Sequence, residues 1–362
     1  MNLHQSKLYF DDIDRTLAHV VGIEKLWNKR ILVTGATGTI GSFAADALIR
    51  LNQKHKANMT VLLAGRSMDR LRGQFGSTDN VVFLPYDLNT PIAFDTSVDF
   101  VIHAAGNAYP AAFTSDPVGT IVGNIESAFR LLTYAKSHDC QKFLYVSSGE
   151  VYGQGDLSLG TFDETYSGYV DVLSPRSCYP LSKRMVENLC VSFWKQYGLE
   201  SVVVRPCHTY GPCMAAADNR AHAQFFRSAV AGENIVMKSA GKQMRSYNYV
   251  ADCISGLLTV LVNGEAGEAY NVANPESRMT IAELAEKIAT AGHCKVVFEQ
   301  PTATDVANQS PIPKQVLGTS KLEHLGWKPA FCADEGIRHT LDILKGGQIS
   351  LGSKNHAVPC VE

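Results

Sequence analysis

Short apolar runs alternate with longer amphipathic segments along the middle of the chain, beginning at Arg30. The apolar runs have the length of buried strands, and the segments between them repeat apolar residues at helical spacing. This alternation predicts an α/β fold in which helices cover both faces of a parallel sheet. The predicted strands are 31–33, 60–64, 81–84, 100–103, 143–146 and 201–205, and the predicted helices are 39–52, 121–138 and 179–197.

The chain on either side of this alternation has a different pattern. The first thirty residues repeat apolar residues at near-helical spacing, so we predict one or two helices packed on the main body. Beyond about residue 210 the alternation loosens into loops and shorter helices such as 280–291. The predicted organisation is a helical extension over 1–29, a doubly wound α/β domain over 30–205, a smaller and mainly substrate-binding domain over 206–345, and a tail over 346–362.

Composition and charge exclude several classes of partner. Hydrophobic residues make up 45% of the 362 positions and charged residues 19%, and the net charge of -2 provides no basic field for nucleic acid or anionic lipid. No apolar run approaches the roughly 18 residues of a membrane span, and the first residues lack a signal-peptide core. The nine cysteines stand singly, without a C-x-x-C pair. We therefore expect a cytoplasmic protein with reduced thiols and neither a metal site nor a nucleic-acid or membrane partner.

Three glycines join the first predicted strand directly to the first predicted helix, in the stretch RILVTGATGTIGS. Gly35 allows the tight turn, Gly38 lets the backbone approach a pyrophosphate, and Gly41 permits close packing of the helix. The phosphates then lie at the positive end of the helix dipole, next to Thr39 and Ile40. The position of these glycines predicts a dinucleotide site of the Rossmann type, and a purely structural turn is the alternative.

The end of the second strand indicates which dinucleotide fits. NAD sites usually place an acid there for the ribose 2′-hydroxyl, whereas a 2′-phosphate needs a cation. Here the strand ends with Arg66 and Ser67, and the guanidinium can hold a phosphate. We predict NAD(P) with a preference for NADP; the alternative is NAD with Arg66 as a surface residue. The other predicted cofactor contacts are Asp87, at the adenine amino group, Leu88, Ala104, Ala105 and Gly106.

Tyr179 and Lys183 are four residues apart, on one face of the third predicted helix. An ammonium close to a phenol favours the phenolate and lowers a pKa that is ordinarily about 10. A phenolate can take the proton from an alcohol whose carbon passes a hydride to nicotinamide, while Ser147 or Ser148 holds the substrate oxygen. The pattern therefore predicts an oxidoreductive site, and an exposed Tyr/Lys pair is the alternative.

An ordered set of motifs resembles the extended short-chain dehydrogenase/reductase family of nucleotide-sugar enzymes. The motifs are the glycine stretch, Ser147-Ser148 with Val151-Tyr152-Gly153, Tyr179-x-x-x-Lys183, Arg205-Pro206 running to Tyr210-Gly211-Pro212, and Arg245 in RSYNYVADC. The resemblance covers about 30–340. It implies a Rossmann domain with a C-terminal sugar-nucleotide domain, a nucleotide-sugar substrate, and a homodimer formed through a four-helix bundle.

The resemblance also implies roles for individual residues. Tyr179 is the implied base, Lys183 its partner and a ligand of the nicotinamide ribose, and Ser148 the hydroxyl donor. The implied contacts to substrate or their support are Asn124, Arg176, His208, Arg220 and Arg245. Arg245 is the implied ligand of the diphosphate, and Arg220 assists it. This role suits a guanidinium, which can form two hydrogen bonds to one phosphate. A packing role is the alternative for His208.

The identity of the reaction depends on the step after oxidation of the sugar at C4, an oxidation that the resemblance implies. A 4-keto group acidifies the C5 proton and makes a C6 carboxylate a β-keto acid. Glu150, two residues after Ser148, is the candidate acid or base near C5, and a domain-seam salt bridge is its alternative role. Gly149 stands where dehydratases of the family tend to have an aspartate, which counts against a 4,6-dehydratase.

The segment around Tyr179 is similar to that of UDP-glucuronate decarboxylases, in which an arginine also precedes the tyrosine by three residues, here Arg176. Two departures from those enzymes are Arg66, where an NAD-type acid is usual, and His208, where asparagine is usual. We predict an NAD(P)-dependent, UDP-glucuronate decarboxylase-like enzyme. A nucleotide-sugar 4-epimerase or 4,6-dehydratase, and a non-catalytic dinucleotide-binding sensor, are the alternatives.

Overall fold

The structure is a computed structural model that describes residues 3–108, 110–216, 218–302 and 312–346. The predicted tail beyond residue 346 lies outside the described residues. The strands are β1 (Arg30–Thr34), β2 (Thr60–Gly65), β3 (Val81–Pro85), β4 (Phe100–His103), β5 (Lys142–Val146), β6 (Ser201–Pro206), β7 (His208–Tyr210), β8 (Ile235–Met237), β9 (Met244–Tyr249), β10 (Ala269–Val272), β11 (Arg278–Thr280), β12 (Val296–Phe298) and β13 (Lys314–Gln315). The helices are α1 (Lys7–Ala18), α2 (Thr39–His55), α3 (Met68–Phe75), α4 (Pro110–Ser115), α5 (Pro117–Ser137), α6 (Cys178–Tyr197), α7 (Ala221–Ala231), α8 (Val250–Asn263), α9 (Ile281–Gly292), α10 (Ser320–Glu323) and α11 (Ala333–Leu344).

Seven strands form one parallel sheet in the order β10-β6-β5-β4-β1-β2-β3. Six of them are the strands that the hydropathy pattern predicts, so the predicted α/β fold is confirmed. The chain leaves β1 for β2 on one side and returns to β4 on the other. The gap above β1 and β4 is therefore the topological switch point, where ligands bind in sheets of this kind.

Both faces of this sheet are buried under helices. Side chains alternate along β1, so that Ile31 and Val33 join the core formed with α2 and α8, whereas Leu32 joins the core formed with α5 and α6. Strands buried on both faces are expected to be apolar throughout, which explains why their positions were readable from the sequence.

The seventh strand, β10, was not predicted. It pairs with β6 through residues 269–272, and α8, just before it along the chain, packs on the same sheet. The segment after residue 206 therefore completes the main sheet as well as forming a region of its own. That region contains a small sheet in which β9 is flanked by β11 and β13 and also pairs with β7.

The N-terminal segment packs on the main body through α1, against α2 and α8. The hydroxyl of Tyr9 donates to Asp46 of α2 at 2.6 Å, and Asp12 accepts from Tyr249 of β9 at 2.6 Å. Helix α1 thus links the first helix after the glycine turn to the small sheet. Among the helices that the structure describes, none combines the length and the apolarity needed to cross a bilayer.

Candidate active site

The turn between β1 and α2 requires glycine at two positions. Gly35 has a φ of +69°, and a Cβ there would lie 2.8 Å from the backbone of Ala104. A Cβ on Gly41 would lie only 2.2 Å from the carbonyl oxygen of Gly35. Helix α2 begins after Gly38, and glycine has no side chain that could cap the helix. Its first N–H groups are therefore presented to an anion, and this turn fits a dinucleotide pyrophosphate.

An open crevice of about 810 Å³, counting its mouth, lies at the carboxyl ends of the central strands. Predicted cofactor contacts and predicted catalytic residues line it together: Gly38, Thr39, Ile40, Gly41, Ala104, Gly106, Ser148, Tyr179 and Lys183. The fold therefore places the glycine turn and the Tyr/Lys pair, far apart in sequence, around one space.

Lys183 is buried in α6 beside the end of β5. Its Nζ donates to the carbonyl of Val146 at 2.8 Å and lies 4.6 Å from the centre of the Tyr145 ring. Burial lowers the pKa of Lys183 to about 8, although Glu187 one turn further on opposes that shift. Glu187 is itself held by a bidentate contact with Arg205, at 3.0 and 2.7 Å. The ammonium is thus placed by contacts with the backbone, an aromatic face and a fixed carboxylate.

Tyr179 is also buried, and its ring stacks on Phe113 with centroids 4.5 Å apart. Burial raises the pKa of Tyr179 to about 12, and the carboxylate of Glu150 acts in the same direction. The largest influence that lowers the pKa of Tyr179 is a hydrogen bond with Ser148, which favours the phenolate. The predicted lowering of this pKa by Lys183 is therefore wrong: the ammonium lies 5.7 Å from the ring centre, and desolvation outweighs the charges around it.

Glu150 lies in a short 3-10 helix, Gly149–Tyr152, that Ser148 caps. The carboxylate of Glu150 meets the guanidinium of Arg176 at 3.4 to 3.5 Å, so the predicted candidate is paired. Arg176 also lies 4.7 Å from the centre of the Phe113 ring. Both charged side chains retain about a quarter of their exposure, 23% for Glu150 and 26% for Arg176. Solvent can therefore reach this pair.

Asn124 lies behind the crevice wall. Its Nδ2 donates to Ser182 of α6 at 3.0 Å, and a Cβ on Gly106 would lie 2.9 Å from its Oδ1. The same Cβ would lie 3.8 Å from the Nζ of Lys183. Gly106 therefore lets α5 and α6 approach the loop after β4, and Asn124 supports that contact.

The predicted adenosine contacts lie at the outer end of β2 and β3. Arg66 and Ser67 are exposed, and Ser67 caps α3 by accepting from the N–H of Arg70 at 3.2 Å. Asp87 accepts from the N–H of Asn89 at 2.9 Å. Leu88 and Ala105 are half-buried, and the N–H of Ala105 donates to Thr34 at 3.3 Å. All of them lie at the carboxyl ends of their strands, on the side of the glycine turn.

The two predicted diphosphate arginines belong to the region after β6. Arg245 of β9 is 2% exposed, and its guanidinium donates to the carbonyls of Met244 at 2.9 Å and Ile312 at 2.6 Å. Burial lowers the pKa of Arg245, while Tyr247 and Glu150 oppose that shift. Arg220, just before α7, lines the crevice and donates through Nε to Asp218 at 2.9 Å.

His208 lies on β7 in register with Tyr247 of β9, and the ring centroids are 5.6 Å apart. Its neighbour His222, 6.4 Å away between centroids, was not predicted. Gln315 of β13 was missed as well, although it pairs in register with Arg245 and a Cβ on Gly149 would lie 3.5 Å from its Nε2. These residues have no local motif, because separate strands and helices bring them together.

A parallel sheet with a glycine turn at its switch point, and a Tyr/Lys pair beside that turn, define a Rossmann-type dinucleotide-binding protein. The model of the NAD dependent epimerase/dehydratase family matches residues 31–273, and the chain belongs to this family. The family recognised from the motifs is thereby confirmed, and with it the assignment of the protein as an enzyme.

Similar proteins agree with this assignment. The chain is 31% identical over 312 residues to UDP-glucuronic acid decarboxylase 5 of Arabidopsis thaliana. The match covers 86% of this chain and 87% of the decarboxylase. The UDP-glucose 4-epimerase of Thermus thermophilus, solved with NAD, is similar with a TM-score of 0.72, 24% identity, and coverage of 88% of this chain and 99% of that one. An epimerase of Methanothermobacter thermautotrophicus has a TM-score of 0.76 and 20% identity, covering 93% and 95%. At these identities the two solved structures show the shared fold.

Proposed function

We propose that this enzyme oxidises UDP-glucuronate at C4 of the sugar and then removes the C6 carboxylate as carbon dioxide. The observation that carries the proposal is the Glu150 and Arg176 pair, 3.4 Å apart, next to Tyr179. This pair adds a proton-transfer group and a carboxylate-binding cation to the residues needed for oxidation alone. The similarity to a UDP-glucuronic acid decarboxylase over most of the chain supports the same choice.

Each residue then has a definite role. Ser148 holds the C4 oxygen and Tyr179 takes its proton, while the hydrogen bond with Ser148 favours the charge that develops on the phenol. A nicotinamide dinucleotide held at the glycine turn and by Lys183 would supply the hydride acceptor for C4 and the hydride donor for the final reduction. The 4-keto sugar is a β-keto acid, so the bond between C5 and C6 breaks with loss of carbon dioxide. Glu150 takes up a proton from solvent and passes it to C5, which thereby gains the bond that it lost to the carboxylate, and Arg176 orients the substrate carboxylate beforehand.

The glycine turn, Gly35 to Gly41, is where we propose that the pyrophosphate of the dinucleotide binds. The close backbone contacts at Gly35 and Gly41, and the uncapped start of α2, are the features that fit it. Lys183 is the proposed ligand of the nicotinamide ribose, since it lines the crevice and its ammonium has N–H groups beyond the one bonded to Val146.

A 4-epimerase is the second candidate, because the similar solved structures include the UDP-glucose 4-epimerases of Thermotoga maritima and Thermus thermophilus. A 4,6-dehydratase is less well supported, since Gly149 provides no acid for a departing 6-hydroxyl. Ser148, Tyr179 and Lys183 around one crevice argue against a non-catalytic sensor.

Product mass distinguishes these functions. We expect the protein, given UDP-glucuronate and NAD or NADP, to release carbon dioxide and form a UDP-pentose, measured by mass spectrometry. UDP-glucose serves as the control that lacks the carboxylate, and GDP-, CDP- and dTDP-sugars complete the panel. Loss of water from any of these sugars, or a new isomer of unchanged mass, would replace decarboxylation by dehydration or epimerisation.

We also propose that the cofactor is NADP rather than NAD. Arg66 is exposed at the end of β2, and Arg70 in the first turn of α3 reaches the carbonyl of Thr37 in the glycine turn at 3.4 Å. A 2′-phosphate at the end of β2 would therefore meet guanidinium groups. Charge-assisted hydrogen bonds of this kind are strong and specific for phosphate.

Replacing Arg66 by alanine tests the NADP preference. We expect the Kd for NADP to rise about tenfold, the scale of one hydrogen bond to a charged group, and the Kd for NAD to change less than about twofold. Isothermal titration calorimetry measures both constants. Arg72→Ala, an exposed arginine further along α3, is the control and should change neither. Equal effects of Arg66→Ala on both cofactors would contradict the preference.

A homodimer formed through α5 and α6 is a further proposal. The two helices pack on each other and expose apolar side chains along their outer face: Val118, Ile121, Val122, Phe129, Met185 and Tyr197. The largest of these side chains on α5, Phe129, is 51% exposed. An apolar stripe of this kind on a helix pair suits a second copy of the same pair, which would complete a four-helix bundle.

We expect Phe129→Glu to convert the dimer into a monomer, because a carboxylate would be buried at the helix contact without a partner. Sedimentation velocity measures the change in mass. Val82→Glu, on exposed β3 at the edge of the sheet, is the control and should remain dimeric. A wild-type protein that sediments as a monomer would refute the proposed dimer.

We propose a reducing, cytoplasmic location on the basis of the thiols. The eight cysteines among the described residues are all unpaired, and four of them are buried. Secreted proteins of this size commonly oxidise such thiols to disulfides, whereas cytosolic proteins keep them reduced.

A further inference from the structure

Glu187 is a buried carboxylate that lies one turn after Lys183 on α6. It accepts a hydrogen bond at 2.5 Å from the hydroxyl of Ser147, the residue that follows β5. Arg205 of β6 donates to the same carboxylate through Nε at 3.0 Å and through Nη2 at 2.7 Å. Glu187 therefore joins the ends of two neighbouring strands to the helix that carries Tyr179 and Lys183.

The contacts of Glu187 extend to the short 3-10 helix that contains Glu150. Arg205 donates through Nη1 to the hydroxyl of Tyr152, the last residue of that helix, at 2.9 Å. Tyr152 donates in turn to Asn271 of β10 at 2.7 Å. A connected set of hydrogen bonds therefore runs from Glu187 to the edge strand of the main sheet and holds the C-terminal end of the helix that carries Glu150.

The hydrogen bond to Glu187 gives the two serines different roles. Ser147 lines the crevice, yet its hydroxyl donates to the carboxylate of Glu187. A hydroxyl has a single hydrogen to donate, so Ser147 cannot also donate to a substrate oxygen. Ser148 is the next residue and lines the same crevice. The bond between Ser147 and Glu187 therefore anchors the segment that carries Ser148.

The charge of Glu187 acts on Lys183. Burial lowers the pKa of Lys183, and Glu187, four residues on, is the larger of the two groups that oppose this lowering. Other titratable groups near the ammonium are a thiol, two phenols and an imidazole: Cys190, Tyr145, Tyr179 and His103. Burial raises the pKa of the thiol and of both phenols and lowers that of the imidazole to about 3, so all four are uncharged at neutral pH. Glu187 therefore helps to keep Lys183 an ammonium.

Stability alone does not explain the buried pair of Glu187 and Arg205. Taking two charges out of water costs about as much as their attraction returns, so a pair of this kind gains little over apolar residues of similar size. Arg184, on the same helix, faces the carboxylate as well. A buried carboxylate in contact with Ser147 and one turn from Lys183 instead indicates a role in the site.

We propose that Glu187 is a positioning residue of the reaction, which anchors Ser147 beside Ser148 and presents a negative charge to Lys183. The inference rests on the proposed function in that it takes Lys183 as the ligand of the nicotinamide ribose. Within the described part of the chain, Glu187 lies outside the crevice lining, so it acts through these two neighbours. One effect depends on a hydrogen bond and the other on charge, and different variants separate them.

A pH titration of dinucleotide binding tests the effect of the charge. An ammonium binds a ribose hydroxyl more strongly than an amine does, so we expect the Kd of the wild type for NADP to rise about tenfold from pH 7 to pH 10. The 2′-phosphate, with a pKa of about 6, is already ionised at pH 7. Removing the carboxylate lowers the pKa of Lys183, so in Glu187→Gln the rise should begin about one pH unit lower. Isothermal titration calorimetry gives the constants, and Lys183→Met should abolish the rise.

The double variant Glu187→Gln/Arg205→Met distinguishes the charge effect from a loss of stability. Glu187→Gln leaves a buried guanidinium without its carboxylate, which is destabilising, whereas the double variant removes both charges. We expect its Kd for NADP to rise about one pH unit lower than in the wild type, as in the single variant, because the charge beside Lys183 is still absent. If the single variant does not fold, the double variant decides alone. A wild-type pH dependence in the double variant would overturn the inference.

Ser147→Ala tests the hydrogen bond without changing the charge. Glutamine at position 187 can still accept from Ser147, whereas alanine at position 147 removes the donor and leaves the carboxylate. We expect Ser147→Ala to lower turnover about tenfold on the sugar that the wild type converts, and to keep the wild-type pH dependence of NADP binding. Ser158→Ala, at an exposed serine, is the control and should change neither quantity. Normal turnover in Ser147→Ala would overturn the anchoring role.

This inference and the proposed function fail separately, because the NADP titrations need no sugar. An earlier rise in Kd in both Glu187 variants, with no carbon dioxide from UDP-glucuronate, would keep the role of the charge and reject the decarboxylation. Carbon dioxide release with a wild-type pH dependence in both variants would do the reverse. A wild type whose Kd for NADP does not rise between pH 7 and pH 10 would also overturn the inference.

Discussion

Tyr179→Phe is expected to lower kcat by at least about a hundredfold while the Kd for the dinucleotide stays nearly unchanged, because a general base is removed without altering the shape of the crevice. The stacking on Phe113 at 4.5 Å can be kept by the new ring, so the fold should be preserved. Steady-state turnover and calorimetric titration with NAD and NADP measure the two quantities. A near-normal rate in this variant would remove Tyr179 from the mechanism.

Tyr145→Phe is the matched control for that experiment. Tyr145 lies under the ammonium of Lys183 with its own hydroxyl buried and unpaired among the described residues. Its phenylalanine variant keeps the aromatic face and removes an unsatisfied hydroxyl, so we expect normal turnover and equal or higher stability. A large loss of turnover in the control would show that any tyrosine change near Lys183 disturbs the site.

Glu150→Gln is expected to slow formation of the decarboxylated product by about a hundredfold while oxidation at C4 continues. The amide has nearly the same shape but no proton to exchange with C5. Glu150 also raises the pKa of Tyr179, so removing its charge should make the first proton transfer equally fast or faster. Rapid-mixing absorbance of reduced nicotinamide follows the first step, and product mass follows the second.

The proposed role of Glu150 requires that Glu150→Gln slow formation of the decarboxylated product without slowing oxidation at C4. A product rate equal to that of the wild type would exclude it from the reaction. Loss of the first step as well would place its function in substrate binding with Arg176, 3.4 Å away. Glu233→Gln, an exposed carboxylate next to α7, controls for a general effect of charge removal and should leave both steps unchanged.

Local patterns accounted for most of the main sheet and for the motifs of the site. Strands such as β1 are apolar because both faces are covered, and the glycines between β1 and α2 are required by contacts within a few ångströms of the turn. The seventh strand was missed because β10 has only four residues and includes Asn271, a polar residue, so the sequence shows no continuous apolar run there. Asn271 is buried because its side chain accepts a hydrogen bond from Tyr152, which lies far away along the chain.

Residue spacing was enough to specify the fold class, the glycine turn and the helix that carries Tyr179 and Lys183, since each is encoded along one strand or one helix face. The direction of the pKa shift of Tyr179 became known only from the folded chain, because burial against Phe113 outweighs the neighbouring charges. The same holds for the pairing of Glu150 with Arg176. Desolvation and hydrogen-bond partners depend on residues that are distant in the chain, so these properties arise only when the chain folds.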